Sequence, residues 1–397
     1  MPATLPARRT AQGSTALRGG PTWRPTPYQL FGFLFWLLMT LAYWSLPLCC
    51  EAGQHAAVVE RLKTNLLDPR HPTVDLPGEG SPYYSPYAVA QGLFARLTGL
   101  GGWEVLRLAG PLNLLVLLTG LGRLVRVLTP RPWAPVLALA PMTLLWADLG
   151  YPSTFAIGLT FWAWALKVAR GRGQVRFVGP KGRPGLTGYA ALGAVYGLIL
   201  LVHPITGVGA ALGAVLLVAG RRKPTQGRGA VLHLRLPPRG RDKPSPARTL
   251  TTMTTTALLT AAIWPYFNAF EAAPRLDFAT LQPPHGPTYE WAAQHINKGD
   301  VVIADGQHAV QTLPGYGTNL AAPTRRDPAL DERERRRRLK DVSAYLSPNS
   351  TRTERTSIAR RYHVSWLLLT RSRTVPEEAV VVAWSPRTGE VLARVTR

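Results

Sequence analysis

Residues 50–55 read Cys-Glu-Ala-Gly-Gln-His, and they follow an apolar run from Tyr28 to Leu48. A helix that spans a bilayer needs about 20 mostly apolar residues, so this run predicts a first membrane helix that Pro47 helps to end. Glu51 then stands at the exit of that helix, and His55 follows one helical turn later on the same face. At this point several titratable groups meet the predicted membrane surface together.

Apolar runs alternate with basic segments along the first 270 residues. The chain carries a net charge of +24, and the positive-inside rule explains basic loops between apolar helices without a ligand. We therefore do not expect nucleic acid as a partner. The pattern predicts a mainly α fold, a multi-pass transmembrane helical bundle of about seven spans with interfacial helices. The predicted spans are residues 28–48, 106–121, 132–146, 154–168, 189–202, 205–219 and 250–265.

The charge pattern also predicts the domain organisation. Residues 1–27 form a disordered basic cytoplasmic tail. The transmembrane domain comprises residues 28–270, with an outer loop at 49–105 and a basic cytoplasmic loop at 221–249. Seven crossings place the N-terminus in the cytoplasm and the C-terminal domain outside the cell membrane. Within the outer loop, residues 51–67 show the spacing of an amphipathic helix on the membrane surface, and residues 87–100 predict an interfacial or re-entrant helix.

Residues 271–397 differ in composition and predict an extracytoplasmic α/β domain. Apolar runs at 300–305 and 364–369 predict buried strands, and residues 380–384 and 391–395 predict a hairpin. Residues 289–296, 327–345 and 351–362 predict helices. The run from Arg333 to Lys340 is typical of a solvated helix face, with binding of anionic headgroups or envelope polymers as the alternative.

Glu51 is the candidate catalytic residue. A carboxylate partly withdrawn from water is suited to act as a general base, whereas an acid at a helix end also serves simply to keep that end in water. His55 has the same two interpretations: it orients Glu51 or contacts a phosphate, or it is an ordinary interfacial residue.

Seven further residues are candidates for substrate binding. Asp68 and His71 each precede a proline, a pairing that is also common loop punctuation. Tyr83 and Tyr84 suit stacking on a sugar or anchoring at the interface. Together with His55, the candidates for substrate binding are Gln54, Asp68, His71, Tyr83, Tyr84, Asp148 and His203. No residue spacing predicts a metal site, although a divalent cation near Glu51, His55, Asp68 and Asp148 stays open. No organic cofactor is expected.

Four features resemble the GT-C superfamily of integral membrane glycosyltransferases. They are the acid delivered by the first span at Glu51, the aromatic stretch at 81–87, the Leu-Val-His-Pro turn at 201–204, and an outer α/β domain. The last contains Asp-Val-Val-Ile-Ala at 300–304 and Arg-Tyr-His-Val-Ser-Trp-Leu-Leu at 361–368. The layout also resembles that of uncharacterised actinobacterial membrane proteins.

The resemblance implies transfer of a sugar from a polyprenyl-phosphate donor to an envelope glycan or protein. Glu51 would activate the acceptor hydroxyl, and His55 would steady the departing phosphate. The partners implied are membrane lipid, the lipid-linked sugar and the acceptor. The family usually places Asp at the position of Glu51, which leaves a degenerate relative as an alternative. The other hypothesis is a non-catalytic membrane protein whose outer domain binds an envelope partner.

Overall fold

The computed structural model describes residues 25–45, 51–76, 81–142, 149–171, 186–219, 288–323 and 330–396. The helices of the N-terminal part are α1 Pro27–Ser45, α2 Glu51–Thr64, α3 Pro86–Thr98, α4 Gly102–Leu128, α5 Ala134–Leu137, α6 Pro152–Gly171, α7 Leu186–Val202 and α8 Pro204–Ala219. The C-terminal part contains α9 Glu290–Ala293, α10 Gln307–Thr312, α11 Glu332–Tyr345 and α12 Arg352–Arg361, with a 3₁₀ turn at Leu313–Tyr316. Its strands are β1 Val301–Ala304, β2 Asn319–Leu320, β3 Val364–Leu369, β4 Ala379–Trp384 and β5 Val391–Val395.

The prediction of about seven membrane spans is wrong. Within the described residues, only α4, Gly102–Leu128, is both long and apolar enough to cross a membrane, and Tyr189–Val202 and Pro204–Leu217 are shorter apolar helices. Helices α7 and α8 have 17 and 16 residues, fewer than the roughly 20 that a span requires.

The other predicted spans fail for different reasons. Helices α1 and α6 have 19 and 20 residues, but residues such as Gln29 and Lys167 lower their mean hydropathy. In the predicted span 132–146 the structure has the four-residue helix α5. The predicted span 250–265, the loop 221–249 and most of the tail 1–27 lie outside the described residues. The predicted topology was derived from seven crossings, and that derivation therefore no longer holds.

Helix α4 is the centre of the N-terminal part, and α1 packs along it. Pro111 lacks an N–H group, so the carbonyl of Arg107 one turn earlier loses its helical partner. The indole Nε1 of Trp44 donates to that carbonyl at 2.8 Å. Trp36 Nε1 likewise donates to the carbonyl of Pro111 at 2.9 Å. Trp44 thus supplies the hydrogen bond that the proline removes, and Trp36 adds a second bond between α1 and α4.

Helix α2 is buried, although its spacing predicts a helix on the membrane surface. Ala56, Val59 and Leu62 are at most 1 % exposed, and Glu60 is 5 % exposed. Gly102 of α4 and Gly92 of α3 let the neighbouring helices approach, because a Cβ on either would overlap α2. Helix α2 therefore lies between α3, α4 and the C-terminal part.

Helix α3 is a 13-residue helix capped at both ends. Ser85 Oγ accepts a hydrogen bond from the N–H of Ala88, and Gly99 ends the helix with a φ of 80°. At about 1.5 Å per residue the helix is too short to cross a bilayer.

The C-terminal part is a mixed five-stranded sheet in the order β2-β1-β3-β5-β4. Strands β2, β1 and β3 are parallel, and β5 pairs antiparallel with β3 and β4. Strands β1 and β3 confirm the strands predicted at 300–305 and 364–369, and β4 and β5 confirm the predicted hairpin. Clusters of buried side chains cover both faces of β1 and β3, so the central strands are apolar throughout.

The sheet packs directly on α2 and the loop after it. Val74 forms a parallel bridge with Leu320, whose N–H donates to the carbonyl of Thr73 at 2.7 Å. The ring of Trp103 contacts Tyr316, with centroids 5.7 Å apart. Part of the predicted outer loop 49–105 thus pairs with the edge strand β2 of the α/β domain.

Candidate functional site

His55 lies in the second turn of α2, beside two tyrosine rings. Its ring centroid is 5.0 Å from that of Tyr151 and 5.8 Å from that of Tyr83, which meets it edge-on at 79°. Aromatic rings at such separations attract one another beyond simple burial. The imidazole is therefore held in one place by residues from two distant loops.

Asn113 fixes the loop that carries Tyr151. This residue of α4 is 2 % exposed, and its Nδ2 donates to the carbonyls of Leu149 at 2.8 Å and Tyr151 at 3.4 Å. A polar group buried in an apolar helix is costly unless it is hydrogen-bonded. Asn113 was missed in the sequence, where an amide inside an otherwise apolar helix was the available signal.

Tyr87 joins α3 to the same network. Its hydroxyl donates to Oδ1 of Asn113 at 3.0 Å, and the amide nitrogen of Asn113 lies 2.8 Å from the hydroxyl oxygen of Tyr87. Its ring stacks on Phe155 with centroids 5.0 Å apart. Helices α3, α4 and α6 are thereby linked around one amide.

Glu51 and Gln54 occupy the first turn of α2. Glu51 is the first residue of the helix, and its side chain lies outside the described part of the chain. Residues four apart on a helix share a face, so Glu51 and His55 are on the same side of α2. Gln54 is half-buried beside them. The structure thus brings together Glu51, Gln54, His55 and Tyr83 among the predicted residues, and adds Tyr151 and Asn113.

Asp68 and His71 belong to a different place, and the hydroxyl of Tyr84 reaches towards it. Helix α2 has 14 residues, so its two ends are about 20 Å apart, and Asp68 and His71 follow its far end. Asp68 is exposed, and its N–H donates to Oδ1 of Asn65 at 3.1 Å. His71 is 1 % exposed and Tyr84 donates to the carbonyl of Arg70.

His71 has a structural part in that loop. Its Nδ1 accepts the N–H groups of Thr73 and Val74, each at 3.3 Å, next to the residues that pair with the α/β sheet. These contacts agree with the loop interpretation of the His-Pro pair.

His203 and Asp148 were the remaining candidates. The Nδ1 of His203 lies 2.7 Å from Oγ1 of Thr206 and accepts its N–H at 3.3 Å, which is the geometry of a cap at the start of α8. Asp148 lies in 143–148, outside the described residues, directly before Leu149.

A second polar cluster, which sequence reasoning missed, joins α2 to the α/β domain. The carboxylate of Glu60 accepts the N–H of Gly102 at 2.7 Å and the ammonium of Lys298 at 2.8 Å. Arg61 donates to the side chain of Asn319, and burial of its guanidinium lowers the pKa of Arg61. These contacts attach the two parts of the molecule to each other through groups up to 258 residues apart in sequence.

Four arginines of α11 pair with two glutamates of their own helix. Arg335 and Arg336 pair with Glu332, and Arg337 and Arg338 pair with Glu334, at 2.8–3.4 Å. Arg338 also lies over the ring of Tyr362. These contacts agree with a helix face stabilised by i,i+3 and i,i+4 pairs.

Within the described ranges, no three His, Cys, Asp or Glu side chains are close enough to hold a metal ion together. Comparison of the chain with family models, curated proteins and solved structures gives no match. Function must therefore be argued from the chemistry of the two polar clusters and the surfaces around them.

Proposed function

We propose that this chain is a membrane protein of the GT-C type, which transfers a sugar from a polyprenyl-phosphate donor to an acceptor in the cell envelope. The observation that carries the proposal is the first turn of α2. There Glu51 and the tyrosine-flanked His55 share a face at one end of helices whose outer surfaces are apolar.

The outer surfaces of the helices support a lipid environment. Soluble monomers rarely expose apolar patches beyond a few hundred Å². On α1 the exposed fraction is 61 % for Leu30 and 60 % for Phe33, and on α8 it is 70 % for Leu216. Other large apolar side chains exposed on these helices and α4 are Leu34, Leu38, Leu41, Leu112, Val208, Leu212 and Val215.

The positive charges at the C-terminal end of α4 support one orientation of the chain in the membrane. Arg123, Arg126 and Arg131 lie at its C-terminal end, and Arg170 ends α6. Cytoplasmic segments carry such an excess of Arg and Lys. The other end of α4 contacts α2 and the α/β domain, so we propose that this domain and the His55 site lie on the extracytoplasmic side. This argument does not depend on the number of membrane crossings.

In the proposed reaction Glu51 accepts the proton of the acceptor hydroxyl. The hydroxyl oxygen attacks the anomeric carbon, and the bond from that carbon to the phosphate oxygen breaks. Polyprenyl phosphate leaves with the electron pair, and His55 donates a hydrogen bond to its oxygen as the charge develops. Tyr83 and Tyr151 offer the flat apolar faces against which a sugar ring can lie.

Sugar transfer by the full chain in proteoliposomes tests the proposal. The substrate is a set of radiolabelled polyprenyl-phosphate sugars, and the readout is released polyprenyl phosphate. Because general base catalysis contributes about 10²- to 10⁴-fold, Glu51→Gln should lower the rate at least 100-fold. Glu104→Gln is the matched control, since Glu104 is an exposed carboxylate that caps the start of α4. Transfer that survives Glu51→Gln would reject the assignment of Glu51.

A specific observation favours the non-catalytic alternative. Strand β4 is an edge of the sheet, and its Val380, Val381 and Trp384 are 58 %, 52 % and 65 % exposed. Exposed edges of this kind add strands from partners. If the second candidate is correct, Val381→Lys abolishes binding of the envelope partner, and Glu51→Gln leaves that binding intact.

A further inference from the structure

A cavity of about 250 Å³ lies between the start of α1 and the end of α4. Its walls include Thr26, Tyr28, Arg126, Thr129 and Arg131, and none of the described residues that line it is acidic. A water molecule takes up about 30 Å³ in the liquid, so the cavity has room for roughly eight waters, which is comparable with a small phosphate-bearing group.

Arg126 is held beside this cavity. Its Nη2 donates to Oγ1 of Thr26 at 3.1 Å, and its guanidinium carbon lies 5.6 Å from the centre of the Tyr28 ring. In the described part of the chain no carboxylate pairs with Arg126. Neither contact neutralises its charge, and a guanidinium binds phosphate oxygens with two parallel hydrogen bonds.

The depth of the cavity agrees with a lipid headgroup. Helix α4 has 27 residues and is therefore about 40 Å long. The hydrocarbon core is about 30 Å thick and the headgroup regions bring the bilayer to about 40–45 Å. The last turn of α4, which contains Arg126, then lies at headgroup level.

Apolar side chains lead away from the cavity towards the proposed membrane core. Trp133 is 54 % exposed, and its ring lies 5.8 Å from that of Phe31, centroid to centroid. Leu30 and Phe33 continue the exposed surface along α1. An acyl chain attached to a group in the cavity would lie on this surface.

We propose that this cavity binds the phosphate headgroup of an anionic lipid in the cytoplasmic leaflet, with Arg126 and Arg131 contacting the phosphate oxygens. The site is separate from Glu51 and His55, at the opposite end of α4. It rests on the membrane placement in the proposed function, and not on sugar transfer.

The test uses the full chain in nanodiscs with equal amounts of phosphatidylglycerol and phosphatidylcholine. Native mass spectrometry of the released protein counts the lipids that stay bound. Because a basic residue near an anionic surface contributes about 1 kcal/mol, each arginine is worth about fivefold. We therefore expect Arg126→Gln with Arg131→Gln to lower the preference for phosphatidylglycerol about 25-fold, and the two Lys substitutions to restore most of it.

The matched control is Arg123→Gln with Arg170→Gln. These arginines lie over the rings of Trp162 and Tyr189, so the control removes the same charge from the same end without changing the cavity. An equal loss in the control, or no loss in the Arg126 and Arg131 variant, would overturn the proposal.

Two further arms separate other outcomes. If millimolar inorganic phosphate displaces the lipid completely, the site binds free phosphate and the lipid assignment is wrong; retention supports the assignment. Extraction of the full chain from membranes by alkaline carbonate would instead refute the membrane placement itself. Sugar transfer, measured separately, does not enter either result.

Discussion

Gly53→Ala is the substitution that most directly tests how the site and the α/β domain are joined. Gly53 faces the end of α10, and a Cβ there would lie 2.0 Å from the carbonyl oxygen of Gln311 and 2.9 Å from Cα of Thr312. Atoms in contact prefer separations of about 3.5 Å or more. Both sides of this contact are backbone, so α2 and the Gln311 segment must move apart by more than 1 Å, on the order of the contact deficit.

The magnitude follows from two opposing terms. Overpacking costs about 1–3 kcal/mol, and an overlap with backbone belongs at the upper end. Alanine is better than glycine in a helix by about 1 kcal/mol. The net expectation is a loss of about 2 kcal/mol in the free energy of docking the α/β domain on α2, which corresponds to about 30-fold in an equilibrium constant.

Hydrogen exchange of the full chain in detergent measures this loss. The N–H of Leu320 donates to the carbonyl of Thr73 across the junction, so its exchange should be about 30-fold faster in Gly53→Ala. Gly197→Ala is the control, because a Cβ there meets nothing within 4 Å. Unchanged protection of Leu320 in Gly53→Ala would refute the reasoning.

Three further expectations concern other parts of the molecule. Asn113→Leu leaves the carbonyl of Leu149 and the hydroxyl of Tyr87 without their partner. The substitution should therefore lower the free energy of unfolding by about 1–3 kcal/mol, as measured by thermal unfolding. It should also slow sugar transfer in the transfer assay. Glu378 is 5 % exposed at its side chain and binds Arg355 at 2.6 and 3.0 Å; Glu378→Gln should cost about 2–3 kcal/mol in chemical unfolding at pH 7. Burial alone would raise the pKa of Glu378, but the hydrogen bonds from Arg355 lower it overall. Its contribution is therefore present above the unfolded value near 4.3, as estimated from model peptides, and is lost as the pH falls through the lower folded value. The wild-type protein should lose stability more steeply than Glu378→Gln in that acid range, and parallel profiles would contradict this assignment.

The sequence predicted the elements that depend on near neighbours. The buried strands at 301–304 and 364–369 follow from short apolar runs. The hairpin between β4 and β5 follows from its turn, where Gly389 has a φ of 72° that other residues rarely adopt. Thr351 caps α12 by accepting the N–H of Glu354 at 3.2 Å. All of these rest on residues a few positions apart.

The first turn of α2 was predicted in part. Periodicity and i,i+4 spacing placed Glu51 and His55 on one face, but they also predicted that α2 lies on the membrane surface. The same apolar residues that fit lipid also fit the protein interior, and periodicity alone does not say which one they meet. The number of spans was overestimated for a similar reason, because apolar helices of 17 and 16 residues, such as α7 and α8, are shorter than a span requires.

Other features were decided only by the tertiary structure. Asn113 reaches the loop at Leu149 across 36 positions, and Lys298 reaches Glu60 across 238. Partners this far apart are chosen by the packing of whole helices and strands, and the buried carboxylate or amide then requires whatever group that packing presents. The sequence by itself thus determined local elements such as β1, β3 and the β4–β5 hairpin, whereas three-dimensional packing determined which polar groups meet at His55 and at the junction of the two domains.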